Sequence, residues 1–243
     1  MTHQRPLGND SRPTHGVVDI AVPVNHLSLT KTRLLVPAQI RDHLVIAFLI
    51  DTVQAALACP LVREVTVVTD DSTAANAARR AGADTFSPRL TSPGLNRDLT
   101  AFVCTLTGDQ PLAILLADLP ALTTFELTVA LTESTDHATA FARDQQESGT
   151  TLLYSRRTHQ FRPHFGKRSA DRHHTAGAHA LTRVGPGLRR DVDTLTDLIT
   201  AQSLGVGAHT AAEITAHQDL LFPDLLQRHR LLNDERRAAS CPT

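Results

Sequence analysis

The sequence predicts a single-domain α/β fold whose doubly wound, mostly parallel sheet carries helices on both faces. Short apolar segments rich in Val, Ile and Leu alternate with longer segments of helical periodicity. Uninterrupted apolar strands are typical of parallel sheets that are buried on both faces. The composition agrees, because 41% hydrophobic residues and a net charge of 24 − 25 = −1 describe a globular chain of 243 residues rather than a disordered one.

The first half of the chain repeats a strand–helix unit. The segment 17–24 (VVDIAVPV) predicts a buried strand, and Pro37 opens a helix that runs to about residue 59. A second strand, EVTVVTDD, ends in two carboxylates. Ser72 is then predicted to cap an Ala-rich helix that reaches Arg80. A short strand at 83–86 and a helix in GLNRDLTAFVCTL complete this half.

The second half continues the alternation. PLAILLADLP predicts a hydrophobic strand, followed by a helix at 125–133 and strands at 137–142 and 150–154. The segment 170–183 predicts a helix of weak periodicity. VDT and TDLITAQSL then predict a short strand and a helix that ends at Gly205.

Three regions follow from this pattern. Residues 1–16 are polar and lack the apolar stretch of a secretory signal, which predicts a disordered leader and a cytoplasmic protein. Residues 17–210 form the predicted folded domain. Residues 211–243 place apolar pairs at helical spacing among charges, and this pattern fits an appended helix, a contact in a homo-oligomer, or a partly ordered tail.

Two classes of partner are not expected. No segment approaches the roughly 20 apolar residues that a membrane-spanning helix needs. The chain has no excess of positive charge for nucleic-acid binding, and its most basic segment, 156–174, contains neither Tyr nor Trp for base stacking.

Charged side chains gather at the predicted carboxyl ends of the strands, where open α/β sheets bind ligands. Lys31 and Arg33 follow the first strand and fit either a phosphate site or a solvated loop. Asp118 ends the most apolar strand, whereas Asp191 and Asp193 fit either a metal site or the cap of the next helix. Cations in one loop and carboxylates in others suit a phosphate-rich ligand held with Mg²⁺.

Several common motifs are missing from the sequence. No GxGxxG follows the first strand, and there is no GxxxxGK[ST], HExxH or CxxC. Their absence argues against a dinucleotide site and a P-loop, and zinc binding by His173, His174 and His179, which lie close in sequence, is not expected.

Seven blocks together resemble a known family. They are, in chain order, VPVNHLSLTKTRL, VTVVTDD, GLN, LLADLPAL, GTTLL, FGKRSADRHHTAGA and PGLRRDVDTLTDLITAQSLGVG. Over residues 17–210 the sequence resembles the phosphoenolpyruvate / 2-phospholactate guanylyltransferases of coenzyme F-420 biosynthesis. The resemblance implies a nucleotidyltransferase fold and a reaction that joins GTP to a three-carbon phospho-acid with release of pyrophosphate. It implies phosphoenolpyruvate or 2-phospho-L-lactate as the acid, with 3-phosphoglycerate in some members, and a downstream transferase that takes the product.

The resemblance also implies residue roles. Lys31 and Arg33 would hold the triphosphate and, with Asp118, form the catalytic group. The implied Mg²⁺ ligands are Asp118, Asp191 and Asp193. The implied contacts to the phospho-acid are Thr150, Gly166 and Ser169. The nucleotide contacts would include Asn96 and Asn25.

Two positions depart from the family pattern. Asn25 stands where the family loop usually has lysine, and loss of that charge is expected to weaken GTP binding or the transition state by about 10- to 150-fold. Glu147 adds a carboxylate beside a predicted anion site, unless its side chain points away or joins the metal. These departures keep two alternatives open: a divergent nucleotidyltransferase with another phospho-acid or nucleotide, and a non-catalytic nucleotide-binding paralogue.

Overall fold

The computed structural model describes residues 17–24, 31–88 and 94–221. The predicted leader, Asn25 and the end of the predicted tail lie outside these residues. The seven strands are β1 Val18–Pro23, β2 Val62–Val68, β3 Asp84–Phe86, β4 Leu112–Leu115, β5 Thr139–Arg143, β6 Thr150–Ser155 and β7 His179–Ala180. The helices are α1 Ala38–Leu57, α2 Ser72–Arg80, α3 Leu95–Val103, α4 Thr124–Ser134, α5 Ser169–Thr175, α6 Pro186–Arg189, α7 Leu195–Leu204, α8 Ala208–Ala216 and α9 Gln218–Leu221.

All seven strands form one sheet in the order β3-β2-β1-β4-β6-β5-β7. Neighbouring strands are parallel except at β6, which is antiparallel to both β4 and β5. The predicted mostly parallel α/β sheet is therefore confirmed. The chain order reverses between β1 and β4, and ligands of open α/β sheets bind beyond the strand ends at such a reversal.

Helices cover both faces of the sheet because alternate strand side chains point to opposite sides. On one face, Ile20 and Val22 pack into an apolar cluster with residues of α1, α2 and α4. On the other face, Ala21 and Ile114 share a cluster with residues of α3 and α5. The continuous burial of β1 and β4 explains why these segments are uniformly apolar in the sequence.

A third apolar cluster joins the two ends of the described chain. Leu44 and Phe48 of α1 share it with Leu198 of α7, Ile214 of α8 and the buried Val192. Helix α8 starts before and ends after residue 210, the predicted end of the folded domain. Within the part of the chain that the structure describes, no helix is both long and apolar enough to cross a membrane.

Two predicted elements are wrong. The helix predicted over 170–183 ends at Thr175 and is followed by β7. Gly177 stops it with a φ of +90°, while the amides of Gly177 and Ala178 donate to the carbonyls of His174 and His173. The strand predicted at VDT is a loop, in which Val192 donates its amide to the carbonyl of Asp118 instead of joining the sheet.

Two helix starts also differ from the prediction. Asp71, rather than Ser72, caps α2, because its carboxylate accepts the amides of Thr73 and Ala74 at 2.9 and 3.0 Å. The short helix α6 was not predicted, although Pro186 stands at its first turn.

Candidate active site

Three loops meet at the carboxyl edge of the sheet beside the reversal point. They hold Lys31 after β1, Glu147 before β6 and Arg168 before α5. Among the described residues, these three are the non-glycine residues with left-handed φ, at 53°, 60° and 55°. Such conformations cost free energy and cluster at functional sites, so this edge of the sheet is a candidate active site.

A lysine and three aspartates form the centre of the site. The Lys31 ammonium donates to the carboxylates of Asp118 and Asp193. Asp118, Asp191 and Asp193 each offer a carboxylate oxygen, and these oxygens lie within 4.8 Å of one another. The bond from Val192 N–H to the Asp118 carbonyl, at 3.0 Å, holds the loop that carries the last two acids against the end of β4.

The aspartates of the 191–193 loop do not cap the following helix. Thr194 is the N-cap of α7, and it forms a capping box with Asp197. The hydroxyl of Thr194 accepts the Asp197 amide at 3.2 Å, while the Asp197 carboxylate accepts the Thr194 amide at 3.0 Å. The capping alternative for Asp191 and Asp193 is therefore wrong.

The electrostatics of the cluster are unbalanced. Burial alone would lower the pKa of Lys31, but the charges of Asp118 and Asp193 outweigh burial and raise it. Burial and the charge of Asp118 raise the pKa of Asp191 to about 7, and the Lys31 charge offsets this only in part. One ammonium thus faces three carboxylates, and a further positive charge would stabilise the ionised cluster.

Two oxygens of the cluster have no partner among the residues that the structure describes. Oδ1 of Asp118 and Oδ1 of Asp191 are buried, and neither makes a hydrogen bond within residues 17–24, 31–88 and 94–221. Buried carboxylate oxygens without partners are costly and need an explanation. Hard divalent cations take such oxygen ligands, so the donor set fits a cation of the Mg²⁺ class.

The cluster lines a cleft of about 320 Å³ between the ends of β1 and β4. Its walls combine the polar heads of Lys31, Asp118 and Asp193 with apolar side chains, which are Val24, Val45, Phe48, Leu95 and Leu116. A cleft with an apolar wall and a charged end suits a small ligand that carries phosphates. Arg33 is exposed and is not among the lining residues, so the structure does not bring it to the cluster.

The loop before β6 is built on the carboxylate of Asp144. Its oxygens accept the amides of Ser148 and Gly149 at 2.9 and 2.8 Å. A Cβ at Gly149 would lie 2.3 Å from Asp144 Oδ2, so a larger residue here would have to displace the carboxylate that holds the turn. The loop is joined to the acid-bearing segment, because the Gln145 amide donates to the Arg189 carbonyl at 2.9 Å.

Thr150 lies at the start of β6, and a buried histidine holds its hydroxyl. His173 Nε2 accepts the amide of His164 at 3.0 Å, so the imidazole proton is on Nδ1 and donates to Thr150 Oγ1 at 2.9 Å. Burial, helped by His164 and Arg172, lowers the pKa of His173 to about 4 and keeps the ring neutral. The Thr150 hydroxyl is left able to donate its own hydrogen to a ligand.

The FGKRS segment lies against the Thr150 loop. The Ala170 amide donates to the Ser148 carbonyl at 3.1 Å, and Ser169, which starts α5, is buried beside this contact. Gly166 has a φ of +108°, and its carbonyl accepts the Ser169 amide at 3.0 Å. The structure thus brings Thr150, Ser169 and Gly166 to neighbouring loops at one edge of the sheet.

Asn96 has a structural partner in the same region. Its amide group donates to the Phe165 carbonyl at 3.0 Å and accepts the Phe165 amide at 2.8 Å. This pair of bonds fixes α3 to the FGKRS segment. The predicted contact between Asn96 and the nucleotide stays a prediction, and both polar atoms of its side chain already have partners.

Glu147 points away from the predicted anion site. Its side chain is 70% exposed, and its carboxylate lies 3.3 Å from the guanidinium of Arg189. The guanidinium also donates to the Asp144 carbonyl at 3.0 Å. The extra carboxylate is therefore turned outward.

Three further residues shape the site, and the sequence predicted no role in it for any of them. They are His173, Arg189 and Asp144. Asp144 directly follows β5, so the strand-end rule that selected Asp118 would have found it. His173 has no comparable signal, because its partners become evident only when α5 packs against β6.

Comparison with known proteins agrees with this geometry. Residues 18–183 match the family described as "Guanylyl transferase CofC like". The phosphoenolpyruvate guanylyltransferase of Geodermatophilus obscurus is 46% identical over 200 residues, which are 79% of this chain and 92% of that protein. The phosphoenolpyruvate guanylyltransferase of Mycolicibacterium vanbaalenii is 40% identical over 211 residues, covering 84% and 99% of the two chains.

A solved structure supports the fold at much lower identity. A candidate nucleotide-diphospho-sugar transferase from Desulfovibrio desulfuricans superposes with a TM-score of 0.61 and 16% identity, covering 85% of this chain and 97% of the other. The family match spans more than half of the chain, and the relatives cover most of it. The resemblance inferred from the seven blocks is confirmed, and the chain belongs to the CofC-like guanylyl transferase family.

Proposed function

We propose that this protein is a guanylyltransferase that joins GTP to phosphoenolpyruvate and releases pyrophosphate. The observation that carries the proposal is the cluster of Lys31 with three aspartates at the reversal point of a nucleotidyltransferase sheet. Two of these aspartates have a buried oxygen that no described residue bonds. The names of its relatives support the choice of the acid substrate. The placement of the product in coenzyme F-420 biosynthesis, with a downstream transferase, rests on the family resemblance.

The reaction is one displacement at phosphorus. A phosphate oxygen of the acid forms a bond to the α-phosphorus of GTP, while the bond from that phosphorus to the bridging oxygen of the β-phosphate breaks. Pyrophosphate leaves with that electron pair. The phosphate dianion is already a nucleophile, so the chain needs no general base. What the protein must supply is alignment and positive charge.

Asp118, Asp191 and Asp193 would hold Mg²⁺. When bound, the ion would align the phosphates and offset the charge that develops on the leaving pyrophosphate. The acids themselves would fix the cation at the end of β4.

Lys31 would change partners during binding. In the structure its ammonium is shared between Asp118 and Asp193. A divalent cation on these carboxylates would free the ammonium to contact the triphosphate, where its charge stabilises the transition state. The phospho-acid would lie toward Thr150, Gly166 and Ser169, whose hydroxyls and amides can bind phosphate or carboxylate oxygens.

The direct test is pyrophosphate release by the full chain with Mg²⁺ and GTP. Phosphoenolpyruvate, 2-phospholactate and 3-phosphoglycerate are offered separately, with ATP and CTP in place of GTP as controls. Release that needs both GTP and phosphoenolpyruvate is the expected result. Release with another acid or nucleotide would indicate the divergent enzyme instead.

The variant Asn25→Lys examines the departure in the first loop. Restoring the family's charge is expected to raise catalytic efficiency by about 10- to 150-fold. If the parent chain and Asn25→Lys both bind GTP in calorimetry and both release no pyrophosphate with any acid, the non-catalytic alternative is correct.

A cytoplasmic location and a homo-oligomer remain parts of the proposal, and cell fractionation and light scattering would test them.

A further inference from the structure

A second cluster of potential metal ligands lies outside the active site. It consists of His43 on α1 and of Glu213 and His217 at the carboxyl end of α8. One ligand atom from each side chain lies within 4.8 Å of the other two. We propose that this cluster, called here the histidine site, binds Zn²⁺ or a similar transition-metal ion. The inference is independent of the proposed function.

The distances are too long for good hydrogen bonds, and they are compatible with ligands that share one ion. Glu213 Oε2 lies 3.7 Å from His43 Nδ1 and 3.5 Å from His217 Nε2. A good N–H···O hydrogen bond is about 2.7–3.2 Å long, so neither contact is one. Two ligands of a tetrahedral zinc ion, each about 2.0–2.1 Å from the metal, lie about 3.3 Å from each other. The observed spacing is close to that of ligands around one ion.

The helices hold the three side chains in this arrangement. Glu213 and His217 are four residues apart and therefore share one helix face. The start of α8 is fixed to α1 by Asp51, whose carboxylate accepts the amides of His209 and Thr210 at 3.1 and 2.8 Å. Further along α8, Ile214 is buried in the same apolar cluster as residues of α1. Separating α1 from α8, and with them the three side chains, would therefore disrupt a packed interface.

The donor chemistry distinguishes this site from the acidic cluster. Two imidazole nitrogens and one carboxylate suit Zn²⁺, Co²⁺ or Ni²⁺, whereas three carboxylates suit Mg²⁺. His43 is about half exposed, and Glu213 and His217 are about one-third exposed. This exposure leaves room for a water ligand and allows the ion to enter from solvent. The bound ion would act as a clamp between α1 and α8.

The test uses the full chain, stripped of metal with a chelator and kept in millimolar Mg²⁺. Zn²⁺ is expected to bind with a Kd in the micromolar range or tighter. At a hundredfold excess over that Kd, the melting temperature should rise by about 5 °C or more. Co²⁺ as a spectroscopic probe should give the intense visible absorption of a four- or five-coordinate ion, which an all-oxygen octahedral site does not give.

Matched variants locate the binding. His43→Ala and His217→Ala should each weaken Zn²⁺ binding by more than the roughly 10- to 100-fold that loss of an outer-shell partner costs. Glu213→Gln, which keeps the side-chain shape, should weaken it less. His174→Ala, at an exposed histidine of α5, and Asp118→Asn should leave the Zn²⁺ affinity and the Co²⁺ spectrum unchanged.

Three outcomes would overturn the proposal. One is a Kd weaker than micromolar for the unmodified chain. Another is an equal rise in melting temperature for His43→Ala and the parent chain. The third is loss of the Co²⁺ spectrum in Asp118→Asn. His43 is a half-exposed residue of a long helix, so its alanine variant keeps the test valid even if His217→Ala fails to fold.

Discussion

Acids in two parts of this chain are bonded in opposite ways: Glu133 is buried, whereas Asp118 and Asp191 are partly buried. Glu133 accepts the amide and hydroxyl of Thr182 at 2.9 Å each and the amide of Arg183 at 2.8 Å, so both of its oxygens are used. Asp118 and Asp191 each keep one buried oxygen that has no partner in the described part of the chain. A saturated carboxylate holds the chain together, whereas an unsaturated one is arranged for a positive partner from outside. The number of hydrogen bonds to the carboxylate oxygens therefore separates Glu133 from Asp118 and Asp191.

The largest expected effect is on turnover in Asp118→Asn. The substitution keeps the shape but removes a charge that would hold the metal, and we expect pyrophosphate release to fall at least about 10²- to 10³-fold. The free energy of unfolding should change by less than about 1 kcal/mol, because Lys31 keeps Asp193 as a partner. Steady-state kinetics and urea denaturation measure the two quantities. Normal turnover would remove Asp118 from the mechanism.

Glu133→Gln should show the reverse pattern. A glutamine has one acceptor oxygen, so its NH₂ group would face a backbone amide that also donates. We expect a loss of about 1–3 kcal/mol in the free energy of unfolding, with turnover within about twofold of the parent chain. Asp136→Asn, at an exposed acid of the next turn, is the control and should change neither quantity. A collapse of turnover in a folded Glu133→Gln would break the distinction between the two groups.

His173 has features of both groups. Both of its ring nitrogens have hydrogen-bond partners, as the oxygens of Glu133 do, but one of those partners is Thr150 of the candidate site. Its folded-state pKa of about 4 lies below the ordinary value of 6.5. As the pH falls from 6.5 to about 4, this histidine becomes protonated in the unfolded chain but stays neutral in the folded chain. The free energy of unfolding therefore decreases over this pH range. Between pH 7 and pH 5 this group should cost about 1–2 kcal/mol of the free energy of unfolding.

Denaturation of His173→Gln at both pH values measures this contribution. The glutamine does not titrate, so the variant should lose less stability than the parent chain between pH 7 and pH 5. His174→Gln, at the exposed neighbour, should keep the parent slope. An unchanged slope in His173→Gln would mean that the pKa of the buried ring in the folded chain is not lowered below its value in the unfolded chain. If Thr150 binds the phospho-acid, His173→Gln should also raise the KM for the acid more than it lowers kcat.

The sequence predicted the sheet and much of the site for one physical reason. Strands buried on both faces must be apolar, and a charged residue a few positions after such a strand, like Asp118 after β4, is conspicuous. Family motifs added Thr150 and Ser169, which the structure places on neighbouring loops. The pairing of Asn96 with Phe165 and the histidine site depend on contacts between elements distant in sequence. No local pattern encodes such contacts, so they could not be predicted.

The smallest expected effect is that of Glu147→Gln, which tests whether an exposed acid near the site affects substrate binding. Glu147 carries a charge next to the predicted anion site, but its side chain is 70% exposed and lies against Arg189. Exposed ion pairs contribute about 0–1 kcal/mol, and salt screens what remains. We therefore expect the KM for phosphoenolpyruvate and the free energy of unfolding to stay nearly unchanged. A fall in KM of more than tenfold at low salt, abolished at high salt, would show that this carboxylate repels the substrate. An exposed carboxylate would then influence substrate binding. In that case the number of hydrogen bonds to a carboxylate would not be enough to tell functional acids from structural ones.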